Sequence, residues 1–177
     1  MKPTSTLASM MEAHVNTEIL LNHMLLAQNC DKEGNLMNER RTALTVQRIQ
    51  DQIDYKPNSI IYAEFIYKLN RTKKVEKYIT LNQFQLNLYQ NQENYIRDKF
   101  TLRVKLQYIF EVTKVTDKEG NPGFCLGVSM HSTKWKKEAG KRDITFVCKV
   151  TEDRDKWTAS IDYLKTRAIY QAYAKKN

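Results

Sequence analysis

Two clusters of lysine and arginine are the side chains of this sequence best suited to a chemical task, and that task is the binding of anions. Ammonium and guanidinium groups attract phosphate and carboxylate groups, and neighbouring cations reinforce one another. The first cluster contains Arg71, Lys73, Lys74 and Lys77. The second contains Lys134, Lys136, Lys137, Lys141 and Arg142, with Trp135 among them.

Three interpretations of these clusters stay open from the sequence. They can be solvated loops without a ligand, a docking site for an acidic protein, or a contact with anionic lipid. A lysine or arginine near an anionic membrane contributes roughly 1 kcal/mol, so several together hold a protein at the surface weakly. Nucleic acid is the least favoured partner. Trp135 can insert at a membrane interface, anchor a protein contact, or fold back on the domain.

The residue types that carry catalysis or hold metals lack the spacing that these tasks require. The three histidines are scattered, and no serine or cysteine stands in a nucleophile-elbow sequence. The cysteines lie far apart and form no CxxC pair, which argues against a zinc site: Cys30, Cys125 and Cys148. We therefore expect a protein that is not an enzyme and uses no cofactor or metal.

The length of the chain corresponds to one domain, or to one domain with an appendage. The chain has 177 residues, and its net charge of +9 favours acidic partners. Its first residues lack a signal-peptide pattern, and the most apolar stretch, residues 19–27, is too short to span a bilayer. We expect the protein in the cytoplasm, on the cytoskeleton, or at the periphery of a membrane.

The elements that must position the basic clusters begin with a helical extension over residues 1–57. Residues 7–25 carry apolar side chains at roughly helical spacing, and residues 29–35 have the composition of a turn. A second helix is predicted over residues 36–53, with Arg40, Arg41 and Arg48 on its wet side. Pro57 ends this part, because the residue before a proline disfavours helix. The apolar positions of this second helix are Leu44, Val46, Ile49 and Ile53.

The apolar period changes to two from residue 60 onward, which predicts strands. Seven short strands fit the alternation through residue 150, with polar loops or turns between them. One of these polar loops is predicted over residues 91–99. A closed or nearly closed antiparallel barrel would remove the unpaired edges, and it would bring the two basic clusters to the same end.

The chain then returns to helix after residue 150. Thr151 can cap this helix, and acidic residues in its first turn suit the helix dipole. One apolar face must bury against the strands, so the helix would plug the open end of the barrel. That face contains Trp157, Ile161, Leu164 and Ala168.

This layout resembles the pleckstrin homology (PH) domain over residues 58–177. Residues 77–81 followed by 86–89 look like the second and third strands of that family. Residues 143–148 followed by 152–157 look like its last strand and helix, and Trp157 falls at the position of its hallmark tryptophan. The resemblance implies a seven-stranded PH-like barrel capped by a C-terminal helix, here preceded by an N-terminal helical hairpin.

The resemblance also implies a binding site. Many members of the family hold phosphoinositide head groups in a mouth between strand-connecting loops, where basic residues of the first two strands supply positive charge. Lys68 and Lys77 match two of those positions, whereas Val75 occupies the middle basic position. Lys73 and Lys74 could supply charge from the loop instead.

These inferences favour a non-catalytic adaptor or structural protein. It would dock through its basic loops and apolar helical arm onto a larger assembly with an acidic surface, such as a cytoskeletal one. The alternative is a peripheral membrane protein that binds phosphoinositides or another anionic lipid.

Overall fold

The structure, a computed structural model, describes residues 33–129 and 141–176, with side chains described from residue 39 onward. The helix predicted over residues 7–25 lies outside the described residues. So do Lys134, Trp135, Lys136 and Lys137 of the second basic cluster.

Seven antiparallel strands form one sheet in the described part of the chain, as predicted. Their order is β4-β3-β2-β1-β7-β6-β5, so β1 joins the first four strands to the last three. The strands are β1 (Tyr62–Asn70), β2 (Lys73–Leu81), β3 (Gln85–Tyr89), β4 (Phe100–Lys105), β5 (Ile109–Thr116), β6 (Pro122–Ser129) and β7 (Lys141–Val147). A 3₁₀ turn, Leu106–Tyr108, separates β4 from β5.

The core-facing side of β1 is the less apolar of its two sides. Ile66 is buried, and Tyr62 and Glu64 are partly buried on the same side, whereas Phe65 on the other side is 52% exposed. A tryptophan N–H beneath the sheet requires an acceptor, and Glu64 provides it. The polar residue therefore faces inward although the alternation alone does not predict this.

Strand β7 ends, and the helix that follows begins, at positions other than those predicted from the sequence. The strand was predicted to run through Val150, but it ends at Val147, and the Cys148 amide donates to the Pro122 carbonyl at 2.8 Å. The prediction that Thr151 caps the helix was wrong. Val150 occupies the cap position with extended backbone and no side-chain hydrogen bond, so the chain turns one residue earlier.

Two long helices lie beside the sheet and contact each other. Helix α1 covers Glu33–Tyr55, and a C-terminal helix, α3, covers Thr151–Ala174. The predicted inner face of α3 is buried, and so are three of the four predicted apolar positions of α1: Val46, Ile49 and Ile53. Leu44 differs, because 60% of it is exposed. Arg40, Arg41 and Arg48 are exposed, as predicted.

A short helix, α2 (Gln92–Ile96), lies within the stretch predicted to be a polar loop. The Asn91 side chain accepts from the Asn94 amide at 2.8 Å and so caps the first turn. Tyr95 packs against Tyr78 and Tyr89, each with a ring-centroid distance of 5.3 Å. The cap is local, but the packing of Tyr95 on Tyr78 depends on how the strands pair, which explains why composition alone predicted no helix here.

Candidate functional site

Lys68 and Lys77 lie on the core-facing side of the sheet, near the turn that joins β1 to β2. Lys77 is paired with Ile66, which is buried, and Lys68 is paired with Val75. Because side chains alternate along a strand, Lys68 shares the face of Ile66, and its neighbour across the strands is the aliphatic Val75. Both lysines are half-buried, so their charged ends lie at the rim of the core.

Arg142 of β7 approaches the same place from the other half of the sheet. It alternates with Ile144 and Phe146, which are both buried, and Phe146 is paired with Lys68. Burial lowers the pKa of Lys68, and the nearby charges of Arg142 and Lys77 lower it further. We call Lys68, Lys77 and Arg142 the mouth cluster.

The mouth cluster has no counter-charge within the described part of the chain. None of the ion pairs among residues 39–129 and 141–176 includes any of its three members. Three converging cations repel one another, and an anion between them would relieve that repulsion. The arrangement can therefore hold a phosphate or carboxylate group by charge and hydrogen bonds.

Trp157 of α3 is fully buried at the other side of the core. Its ring lies edge to face against Tyr62 with centroids 5.3 Å apart, and it stacks on Phe124 at 6.2 Å. The indole Nε1 donates to the carboxylate of Glu64. Lys156 Nζ also donates to that carboxylate, at 3.0 and 3.1 Å. This network fixes α3 on the sheet that carries the mouth cluster.

Comparison with known proteins decides the fold. Neither a family model nor a curated protein matches the sequence. Among solved structures, the chain is similar to a crystal structure of the Slm1 PH domain in complex with inositol 4-phosphate. The identity is 14% and the TM-score 0.50, over 61% of this chain and 98% of that chain. This chain has a pleckstrin homology fold.

A further structure, of the Slm1 PH domain in complex with phosphoserine, is 17% identical, with a TM-score of 0.44, over 60% of this chain and 96% of that chain. The fold conclusion depends on the first structure and on the agreement of the strand order with the closing helix. The PH fold predicted from the sequence is therefore confirmed.

Lys74, which the sequence grouped with the binding residues, points to the opposite face of β2 in this PH fold and is ion-paired. Its Nζ lies 2.7 Å from Asp117 Oδ2 and 2.6 Å from Glu119 Oε2, both in the turn between β5 and β6. Hydrogen bonds from Lys74 and then Asn121 hold the pKa of Asp117 well below its usual range. We call Lys74, Asp117 and Glu119 the turn clasp. Its carboxylates neutralise Lys74, so Lys74 adds little charge to the mouth.

The remaining described members of the two basic clusters are Arg71, Lys73 and Lys141. Arg71 and Lys73 are exposed at the two-residue turn between β1 and β2, where Arg71 has a φ of 56°. Lys141, at the start of β7, is exposed, and its Nζ lies 4.9 Å from the centroid of the Phe110 ring. The structure thus divides the first basic cluster into the half-buried Lys77, the exposed Arg71 and Lys73, and the ion-paired Lys74.

The described residues contain neither a candidate membrane-spanning helix nor a candidate metal site. No helix among them is long and apolar enough to cross a membrane. Within residues 33–129 and 141–176 no group of three or more His, Cys, Asp or Glu side chains is arranged to hold a metal ion.

The contributions of Glu64 and Asp117 to the site were missed by sequence reasoning. Glu64 bonds Trp157 and Lys156 across more than 90 positions of the chain, and Asp117 pairs with Lys74. The sequence indicated only that Asp117 lies in a turn. The partners of both carboxylates become visible once the strands are paired.

Proposed function

We propose that this chain is a non-catalytic binding module whose mouth cluster holds the phosphate group of an anionic membrane lipid, such as a phosphoinositide. The observation that carries the proposal is the convergence of three half-buried cations with no described counter-charge. The PH fold supports it, since the Slm1 PH domain is described in complex with inositol 4-phosphate. The protein would then act at the periphery of a membrane.

The exposed residues at the turn between β1 and β2 would help by a different route. Arg71 and Lys73 are exposed, so they would attract the anionic surface without enclosing a head group. Such exposed charges act within about 8 Å at physiological ionic strength. Lipid selection therefore belongs to the mouth cluster, and surface attraction to the turn.

Co-sedimentation with vesicles at about 150 mM salt tests the proposal. Vesicles of phosphatidylcholine alone are compared with vesicles that also contain a phosphoinositide. The double variant Lys68→Gln, Lys77→Gln should bind the second kind at least about tenfold more weakly, since each lost cation is worth roughly 1 kcal/mol. Lys74→Gln should bind nearly as well as the unchanged chain, because the turn clasp already neutralises Lys74.

The double variant Lys175→Gln, Lys176→Gln is the matched control, because it also removes two positive charges, from exposed residues beyond the end of α3. It should leave sedimentation unchanged. A loss for this control as large as the loss for the mouth variant would mean that net charge alone drives binding, and the proposal would fail. So would an absence of binding to every phosphoinositide.

A second candidate is an adaptor that docks onto an acidic protein surface, for instance in a cytoskeletal assembly. The observation that favours it is the set of large apolar side chains exposed away from the mouth, such as Tyr55 at 91% and Tyr173 at 63%. A protein partner could bury them while carboxylates meet the basic turn. A glutamate-rich peptide that binds the chain when no vesicle does would favour this candidate.

A further inference from the structure

An open groove between α1, the start of β1 and the start of α3 has an apolar floor that the described part of the chain leaves uncovered. Its volume is about 450 Å³. Leu44, Ile49, Ile61 and Tyr62 contribute apolar surface to it, and Leu44 is 60% exposed. A leucine on an otherwise polar helix surface costs free energy while it faces water.

Two arginines stand at the α1 rim of this groove. Arg41 and Arg48 are exposed, and neither forms an ion pair with a carboxylate of residues 39–129 or 141–176. On the opposite rim, Asp155 is engaged with Lys114 at 2.9 Å and with Arg154 at 3.1 Å. Arg41 and Arg48, about two helical turns apart on α1, therefore have no carboxylate partner among the described residues.

We propose that residues 7–18 of this same chain occupy the groove, with Leu7, Met11 and Val15 on its apolar floor. These residues are four apart, so they share one face if the segment is helical. Residues 7–18 supply an apolar face, and α1 forms one side of an apolar groove. Each can remove the apolar surface of the other from water. Because the segment is tethered to α1, its effective concentration exceeds that of a free partner.

The length of the connection fits this occupant. Helix α1 begins at Glu33, so Arg41 and Arg48 lie about 12 and 22 Å along it at 1.5 Å per residue. A helical segment that turned back at about residue 26 would bring residue 18 to about 12 Å and residue 12 to about 21 Å, close to those two levels. Glu18 and Glu12 stand there in the sequence. The segment thus brings two carboxylates to the two arginines that lack a partner, and Val15 to the level of Leu44.

A charge-reversal experiment on the full chain tests the pairing. Arg48→Glu and Glu12→Arg should each lower the melting temperature, and the double variant should recover the loss, because the swap restores opposite charges. Two single losses that add in the double variant would overturn the proposal.

A double-mutant cycle tests the apolar contact independently. Leu44→Ala should lower the melting temperature of the full chain by about 2–4 °C or more, the shift that a modest contact gives in a chain of this size. Combined with Met11→Ala and Val15→Ala, it should cost clearly less than the sum of the separate losses. Tyr173→Ala is the control, since Tyr173 is 63% exposed near the far end of α3 and should add to any of them.

The outcomes separate the possible occupants. Coupling of Leu44 to Met11 and Val15 in a monomer supports the proposal. Coupling that vanishes on dilution means that a second copy supplies the segment. Strict additivity means that another protein, or water, meets the groove, and either of these last two results overturns the proposal.

Discussion

Burial controls the chemistry of individual side chains in this chain, and Cys148 shows the effect most plainly. Loss of solvent raises the pKa of its thiol to about 12, and the charges of Asp153 and Glu64 add to the rise. The thiolate is the reactive form, so a thiol with this pKa is inert near neutral pH. A cysteine in this state has a structural role in the core.

Alkylation therefore reports on the integrity of the fold. In native protein, iodoacetamide should leave Cys148 unmodified over the time in which it modifies the residue fully in denaturant. Mass spectrometry of the peptide that contains Cys148 measures both rates. Similar rates in the two conditions would contradict the burial of Cys148.

Arg71 is strained by its backbone rather than by its environment. A φ of 56° places it in the left-handed region, which costs a residue with a Cβ roughly 1–2 kcal/mol. Arg71→Gly removes that cost but adds flexibility to the unfolded chain worth roughly 0.5–1 kcal/mol. The net expectation is a gain in unfolding free energy of about 0.5–1 kcal/mol, measured by urea denaturation at an unchanged m-value. Arg71→Lys, which keeps the Cβ, should gain nothing, and a gain there of the same size would refute the strain.

At the scale of elements, the turn clasp links two hairpins and should make their connection sensitive to acid. The pKa of Asp117 is depressed in the folded state by Lys74 and Asn121, whereas an unfolded aspartate titrates near 3.9. The stabilisation is therefore complete above about pH 4, and it is lost as the pH falls from there toward the depressed folded value.

The variant Asp117→Asn separates this contribution from other acid effects. It should be less stable than the unchanged chain at pH 6, and the difference should shrink as the pH falls from about 4 toward 2. Denaturant unfolding at several pH values measures it. A difference that is constant with pH would mean that the carboxylate of Asp117 is not responsible.

Helix α3 depends on Trp157 for its attachment to the sheet. Trp157→Ala should lower the unfolding free energy by roughly 3–5 kcal/mol, since it empties a fully buried site. Trp157→Phe should cost less, although it leaves the Glu64 carboxylate without its indole donor. Chemical denaturation ranks the two variants. Equal costs would show that the hydrogen bond to Glu64, and not the packing on Tyr62 and Phe124, dominates.

The same elements show how far sequence reasoning reaches. The two-residue period and the spacing of Trp157, Ile161, Leu164 and Ala168 predicted the seven strands and the closing helix, because both patterns are local. The inward face of β1, the turn clasp and the short helix α2 were not predictable, because each depends on a contact between residues far apart in the sequence. Lys68 and Lys77 were predictable as a pair from the resemblance alone.

At the scale of the whole molecule, the PH fold brings the first two strands and the last strand together at one rim. The chain carries a net charge of +9, but most of the cations in its described part are exposed or paired, and charge alone does not make a site. The mouth cluster differs because the two halves of the sheet join through only two residue pairs between β1 and β7, one of which places Lys68 opposite Phe146. The junction between the two halves thus brings the cations of the candidate site together.

The most direct test of this account is to observe the side-chain ammonium groups by NMR while a soluble inositol bisphosphate is added. The account predicts that the Lys68 and Lys77 signals shift in a saturable way while those of Lys74 and Lys175 stay in place. Shifts confined to Lys74 and the exposed turn, with Lys68 and Lys77 unchanged, would contradict it.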